Sequence, residues 1–483
     1  MKRLHIATLI FCVHCFTGLC CGLSLRASDA ADLSSHNAFK IISTNKNGGR
    51  SHTFIIDPSR HEIIDGDKVS AARKKKKSLK NFFANIKSGF RSTFLPSGFP
   101  SRTPEGYLRY AIWSWVQDLS TQLRGVLATQ RILEGVGVGR EGATALSALL
   151  NFLVRDGCGM FASLAFTAVA APFFRTDVKR WKLFADIIVD VGITLEVAAV
   201  QAPPALFLPL ISIGSMCKAM CGVAAGACSG PINLYWAKGS DISDISAKFG
   251  AQNTVTGSLG IIFAALFARS VSTMALWPLW ILYGALTVLH IIANRRCMRL
   301  IAFDSFNTVR MDMLVSAFLE KYDGSQVNVL ELVSPQEVAR REPLLFTAIL
   351  KGRPTHPIHM GVSFNEFVDH TREHSRETPG LLLGVENEYW VAMGSRAKNP
   401  QILVALPENI SPEDTAKAYF HARLLDYLLV KHPSLSVEEA EARASVQMDR
   451  AWKAFRKSTI KSGWNFGGTE LKTRGFEVAL QPM

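Results

Sequence analysis

Ionisable residues, among them Arg155, Asp156, Asp186, Asp190, Glu196, Lys218 and Lys248, sit inside or at the edges of long apolar stretches between residues 104 and 303. A charge facing hydrocarbon is costly, so such residues face a bundle interior, a partner or an aqueous cavity. Asp186 and Asp190 are four apart and project from one helical face. Arg155 and Asp156 fall near the middle of the preceding apolar segment. In a bundle interior Arg155 would pair with one of the acids, leaving another near neutral through desolvation. Such a set binds a small polar solute, relays protons or only locks helices together, and the residues themselves leave all three open. Lys248 and Gln252, four apart, either join that network or mark the watery end of their helix. With Arg124, the candidate polar-core residues are Arg155, Asp156, Asp186, Asp190, Lys248 and Gln252.

Other constellations carry less chemistry. Cys217 and Cys221 are one helical turn apart, which suits a metal or redox pair, but also small residues that let membrane helices approach closely. Gly137-Val138-Gly139-Arg140-Glu141-Gly142 has the spacing of a dinucleotide-binding loop, yet no strand precedes it, and its glycines fit the end of a helix better. His356, His359, His370 and His374 lie near Glu366 and Asp369 without the spacing of a zinc site. No Gly-x-Ser-x-Gly elbow, phosphate loop or doubled Cys-x-x-Cys motif occurs; Cys12 and Cys15 fall in the leader. The expectation is a non-enzymatic protein with no metal and no cofactor.

The elements that must position the charges are six helical segments near 104–133, 141–172, 181–202, 205–230, 242–270 and 273–301. Several are about long enough to cross a hydrocarbon core of roughly 30 Å at about 1.5 Å per residue. Thr103-Pro104-Glu105 reads as a helix start, and Tyr110, Trp113 and Trp115 suit an interfacial belt. Pro203-Pro204 makes a tight turn, so the segments it joins should be antiparallel neighbours. Arg175, Lys179, Arg180 and Lys182 join segments two and three, and Arg295, Arg296 and Arg299 end segment six. With six spans these fall on one side, as the positive-inside rule expects. The fold expected is mainly α: a polytopic transmembrane bundle of about six helices, residues 93–303, followed by a small soluble α+β domain, residues 304–483.

Lys2 and Arg3 precede an apolar run and small residues around Cys20 to Gly22, the layout of a signal peptide over residues 1–22. Residues 23–92 then read as a disordered basic arm. The first hundred residues hold sixteen Lys/Arg against six Asp/Glu, most of the chain's formal +14. That excess, concentrated at Arg73 to Lys77, describes a tail rather than a nucleic-acid-binding face. Nine cysteines, none in residues 304–483, argue against a disulfide scaffold. Signal sequence plus hydroxyl-rich arm fits either a two-part plastid leader or an ordinary endomembrane protein.

Residues 95–310 resemble the ROOT UVB SENSITIVE family of eukaryotic membrane proteins. The resemblance is carried by Leu95-Pro96-Ser97-Gly98-Phe99-Pro100, Leu123-Arg124-Gly125-Val126-Leu127-Ala128-Thr129-Gln130, Gly135 to Gly139, Leu153-Val154-Arg155-Asp156-Gly157, Trp181 to Asp186 with Asp190, and Ser246 to Gln252. Phe249 stands where the resemblance implies an acid. The resemblance implies plastid association and a link to vitamin B6 balance, and it brings no catalytic residue set. The implied partners are the lipid bilayer, a family paralogue or a second copy, and an unidentified small metabolite, with no nucleic acid.

In the C-terminal region Leu381 to Met393 reads as a hairpin and Gln401 to Leu406 as a strand. Ser411-Pro412-Glu413-Asp414 and Ser436 to Glu439 read as helix starts. Three readings of function follow: a membrane protein that moves or senses a small metabolite, a membrane scaffold that docks partner proteins, or an enzyme of cofactor metabolism.

Overall fold

The computed structural model describes residues 39–43, 52–57, 62–65, 88–137, 145–239, 241–271, 275–322, 332–345, 352–372, 389–396 and 399–478. The expected leader, residues 1–22, lies outside them, as does most of the glycine motif at 137–142. The chain divides into two units, residues 1–88 and 89–483.

In the first unit β1 (Phe39–Ser43), β2 (His52–Asp57) and β3 (Glu62–Asp65) form an antiparallel meander, with Phe39 opposite Ile56 and Ile55 opposite Ile64. Residues 23–92 were expected to be largely disordered; at 39–43, 52–57 and 62–65 the structure has strands instead. The basic composition of the arm masks short runs such as Phe54-Ile55-Ile56 and Ile63-Ile64, whose aromatic and β-branched residues favour extended backbone.

The second unit begins with six long helices: α1 (Tyr107–Val136), α2 (Ala145–Ala170), α3 (Val178–Ala198), α4 (Pro204–Trp236), α5 (Ile242–Val271) and α6 (Leu276–Leu300). They match five of the six expected segments within four residues, and the fourth, expected to end at 230, runs on to Trp236. The start of α1 differs: Gly106, in the left-handed region at φ 95°, precedes Tyr107, and Thr103-Pro104 belongs to the preceding loop. The helix ends at Gly137, also left-handed at φ 85°, whose N–H bonds back to Glu134 and Leu133.

Successive helices reverse direction. The start of α1, the α2–α3 turn, the end of α4, the start of α5 and the end of α6 all border clefts shared with the C-terminal residues. At the opposite end Gly135 of α1 lies against Phe207 of α4. As the double proline implied, α3 and α4 pack side by side. Their backbones touch at Gly192 and Gly214, where a Cβ on Gly192 would lie 2.7 Å from the Gly214 carbonyl oxygen. Only small residues permit that approach.

Among the described residues three helical stretches are long and apolar enough to cross a membrane: Leu146–Phe173, Pro204–Trp236 and Leu276–Leu300. Large apolar side chains such as Leu153, Phe161, Leu164, Ile261, Trp277 and Ile281 stand exposed on the outside of the bundle. The interior holds Arg124, Asp186, Asp190, Glu196, His290 and Asn294, all buried. Polar residues inside and apolar residues outside invert the soluble pattern.

After α6 come α7 (Thr308–Leu319), α8 (Pro335–Arg341), β4 (Ile358–Met360), α9 (Phe364–Arg372), β5 (Trp390–Arg396), β6 (Asn399–Ala405), α10 (Pro412–Lys431) and α11 (Val437–Lys461). The sheet order is β4-β6-β5, with β4 parallel and β5 antiparallel to β6. β5 and β6 form a hairpin, and the one expected over Leu381 to Met393, centred on Glu386 to Glu388, lies mostly outside the described residues. Both expected caps form: Ser411 accepts from the Asp414 N–H, and Ser436 and Glu439 make a reciprocal capping box. Phe420 stacks on Phe455, and Phe318 and Trp452 meet this pair edge to face, at the centre of the core that joins α7, α10 and α11.

Candidate functional site

The bundle's polar residues fall into separate groups. In the first, Arg124 of α1 donates to the Asp190 carboxylate of α3, and His290 Nδ1 of α6 lies 3.0 Å from the same carboxylate. Three helices thus meet on one acid. The Asp190 carbonyl accepts from Thr194 at 2.6 Å and from the Tyr283 hydroxyl at 3.3 Å, and these two hydroxyls lie 2.7 Å apart. Thr287, one turn after Tyr283, lies 3.5 Å from the Arg124 guanidinium.

One turn towards the C-terminal domain, Lys182 donates to both oxygens of Asp186 at 2.9 and 2.8 Å. Asp118 of α1 lies within electrostatic reach of Lys182, Asp186 and His290. Asn294 follows His290 by one turn on α6, is only 1% exposed, and neither its amide oxygen nor its nitrogen has a hydrogen-bond partner. A buried amide in that state costs on the order of 1–3 kcal/mol per missing bond, so such groups are rare in a finished core.

The third group lies further along α3. Glu196 pairs with Lys218 of α4 at 2.5 Å and sits 3.9 Å from Arg155 of α2. Arg155 also lies 3.3 Å from Asp156, whose side chain is 56% exposed. The pairing of Arg155 with Asp186 or Asp190 considered from sequence is therefore corrected. The i, i+4 rule rightly places both acids on one face, but α2 meets α3 nearer Glu196.

Lys248 and Gln252 join none of these groups. Lys248 donates to the Ser92 carbonyl at 2.5 Å and lies 3.4 Å from Asp244, while Gln252 donates to the Phe94 carbonyl at 2.8 Å. They clasp the segment leading into α1. Phe249 between them packs on Tyr107 and Tyr110, with centroids 5.8 and 5.9 Å away, beside Trp236.

Sequence reasoning missed His290, Asn294 and the role of Lys182. Lys182 was visible as the i−4 partner of Asp186, and His290 as a titratable residue within an apolar stretch. Asn294 had no signal beyond its place one turn later. Also missed was a buried cluster at the junction with the C-terminal residues. There Glu342, which ends α8, accepts from Lys179 of α3 and, at 3.0 Å, from Arg310 of α7. Burial opposes ionisation of Glu342, but Arg310 and Lys179 outweigh it and hold the carboxyl below its usual range. Asn307 donates to Asp177 at 2.9 Å, and Arg175 bridges to Glu470 at 2.7 Å.

The C-terminal domain has its own buried group. Asp426 accepts from the Thr355 and His356 N–H groups, the latter at 2.9 Å, and lies 3.1 Å from Arg423. Arg423 also donates to Ser316 and the Gly352 carbonyl at 2.6 and 2.7 Å, and Tyr419 donates to Asp312 at 2.7 Å. Burial pushes the Asp312 carboxyl up to about 6 despite Arg423. Among the described residues no group of three or more His, Cys, Asp or Glu is arranged to hold a metal.

Chemically, the first group is a carboxylate held between a permanent cation and an imidazole, an arrangement that can exchange a proton or accept a polar guest. Fold and site together define a class: a helical bundle with a charged interior and an apolar exterior, joined by buried ion pairs to a small α+β domain. Residues 81–322 match the vitamin B6 photo-protection and homoeostasis domain, and residues 331–475 match the C-terminal domain of root UVB sensitive proteins. The chain belongs to the root UVB sensitive family.

It is 28% identical to root UVB sensitive 3 of Arabidopsis thaliana, over 80% of this chain and 84% of that protein. It is 31% identical to RUS family member 1 of Dictyostelium discoideum, over 55% of this chain and 51% of that one. To the protein named root UVB sensitive 2, chloroplastic, of Arabidopsis it is 29% identical, over 53% and 56% of the two chains. No solved structure matches the chain.

Proposed function

We propose that this chain is a non-enzymatic integral membrane protein whose six-helix bundle moves or senses a small polar metabolite in support of vitamin B6 homoeostasis. The observation that carries the reading is the Arg124–Asp190–His290 group, buried where three helices meet, beside the unpartnered amide of Asn294. A bundle built only to hold together in lipid has no use for an orphaned amide next to three ionisable groups. The apolar outer surface and three span-length helices support insertion of the bundle in a bilayer. The family domain's description supports the choice of vitamin B6, and the chloroplastic relative supports a plastid membrane, with an endomembrane as the other location.

Uptake of the B6 vitamers into proteoliposomes, against empty liposomes, tests this reading. Protein-dependent accumulation or retention is expected, and Asp190→Asn should abolish it. If no vitamer is bound or taken up, the metabolite reading falls. The bundle is then a charge-locked scaffold, and a stable Arg124→Gln/Asp190→Asn double variant should complement loss of the wild-type protein.

A further inference from the structure

Where the helical bundle meets the C-terminal domain, a cleft of about 730 Å³ stands apart from the polar core. The start of α1, the ends of α4 and α6, the start of α8 and the turn after α11 form its walls. Four basic side chains line it, Arg109, Lys238, Arg299 and Arg340, against two acids, Glu105 and Asp304.

The four cations are not equally occupied. Lys238 pairs with Asp304 at 2.6 Å. Arg299 donates to the carbonyls of Ala339 and Arg340, satisfying the last turn of α8. Arg340 has only a loose approach to Glu337, at 3.9 Å, and its side chain is 75% exposed. Arg109, exposed in the first turn of α1, makes no hydrogen bond or ion pair with the described residues. The same turn has no side-chain cap and no acid, so its unsatisfied N–H groups add partial positive charge to that wall.

We propose that this junction cleft binds a phosphate-monoester anion, held between Arg109 from the helical bundle and Arg340 from the C-terminal domain. A carboxylate, with two oxygens, satisfies one guanidinium fork. A phosphate monoester offers three terminal oxygens and up to two charges, and can engage more than one guanidinium fork. The cleft is far larger than a lone carboxylate needs, leaving room for the esterified group. Because the two arginines belong to different domains, the bound anion would bridge them and tighten the junction beside the Glu342 cluster. The ester is either a soluble metabolite or the headgroup of an anionic phospholipid at the basic end of the helices.

The test uses the full chain in phosphatidylcholine nanodiscs, titrated with inorganic phosphate at ionic strength held constant with chloride, and reads the melting temperature. A saturable rise is expected with phosphate and none with chloride. Arg109→Gln and Arg340→Gln should each weaken the half-saturating phosphate concentration about tenfold, as loss of one charge-assisted contact implies. Arg443→Gln, a surface change on α11, should leave it unaltered. Both arginines are exposed, so the variants should melt normally without phosphate. If one does not, Arg109→Lys and Arg340→Lys keep the charge without the fork and should show intermediate weakening. Nanodiscs containing phosphatidic acid separate the two sources. For a lipid headgroup the melting temperature starts high, phosphate adds little, and Arg340→Gln removes the lipid-dependent rise. For a soluble ester the phosphate response persists in both lipids. Absence of a saturable rise with either probe, or a rise indifferent to both substitutions, overturns the proposal.

Discussion

The bundle and the C-terminal domain each bury an arginine against an acid, and they surround it differently. Around Arg423 and Asp426 the partners are hydroxyls, an imidazole and backbone groups of Ser316, Gly352, Thr355 and His356, drawn from α7, α10 and the loop before β4. Backbone donors cannot be withdrawn without unfolding, so Asp426 is fixed in place. Around Arg124 and Asp190 the charged partners are side chains on three separate helices, and Asn294 is left with nothing. A group held by rotatable side chains on three separate helices can change partners. Burial alone does not distinguish a lock from a site; the identity of the partners does.

The strongest way to break the comparison is to remove one charge from each group. Arg124→Gln and Arg423→Gln should each cost about 3–5 kcal/mol, since each strands a buried carboxylate, measured by thermal unfolding in detergent. The pairs should then part company. Arg124→Gln/Asp190→Asn should regain stability and remain inactive, whereas Arg423→Gln/Asp426→Asn should recover stability and activity together. Identical behaviour of the two pairs would erase the distinction.

Next in size is a pH effect confined to the C-terminal domain. Burial lowers the His421 imidazole to about 4. A group depressed on folding contributes stability that is fully present above its unfolded pKa of about 6.5 and is lost as pH falls through its folded value. Between pH of about 6.5 and 4 the His421 contribution alone should therefore fall by up to about 3 kcal/mol, and His421→Gln should remove that part of the slope. Asp312, raised to about 6, acts in the opposite sense: its share is present below about 3.9 and fades as pH rises through 6. The two slopes are separable by Asp312→Asn.

A smaller effect is expected at the helix contact. Gly192→Ala forces a Cβ against the Gly214 carbonyl oxygen and should cost about 1–3 kcal/mol. Insensitivity there would mean that α3 and α4 can slide apart freely. The smallest expected quantity is an interaction energy near zero. Because Arg155 meets Glu196 rather than Asp186, Arg155→Gln and Asp186→Asn should add within about 0.5 kcal/mol in a double-mutant cycle. Clear coupling would restore the single network that the sequence alone left open.

Several features were legible without coordinates because they are local. The six helices follow from apolar segment length, the α3–α4 turn from Pro203-Pro204, and the starts of α10 and α11 from hydroxyl caps with acids in the next turn. The i, i+4 spacing of Asp186 and Asp190 put them on one face, and it also contained the Lys182–Asp186 pair. The strands at 39–65 were hidden because a basic average over seventy residues swamps three short apolar runs.

What tertiary structure alone decided is partnership across helices. Periodicity states which face of a helix a residue occupies, but not which neighbour meets that face or at what height. A shift of one turn, about 5.4 Å, exchanges Asp190 for Asp186 or for a residue one turn further along. Hence Arg155 went to Glu196, Arg124 and His290 converged on Asp190, and Lys248 with Gln252 turned to the backbone before α1. The closure of Lys179 and Arg310 on Glu342 spans 163 and 32 residues of sequence. Separations of that size carry no local signal, because only packing in three dimensions sets them.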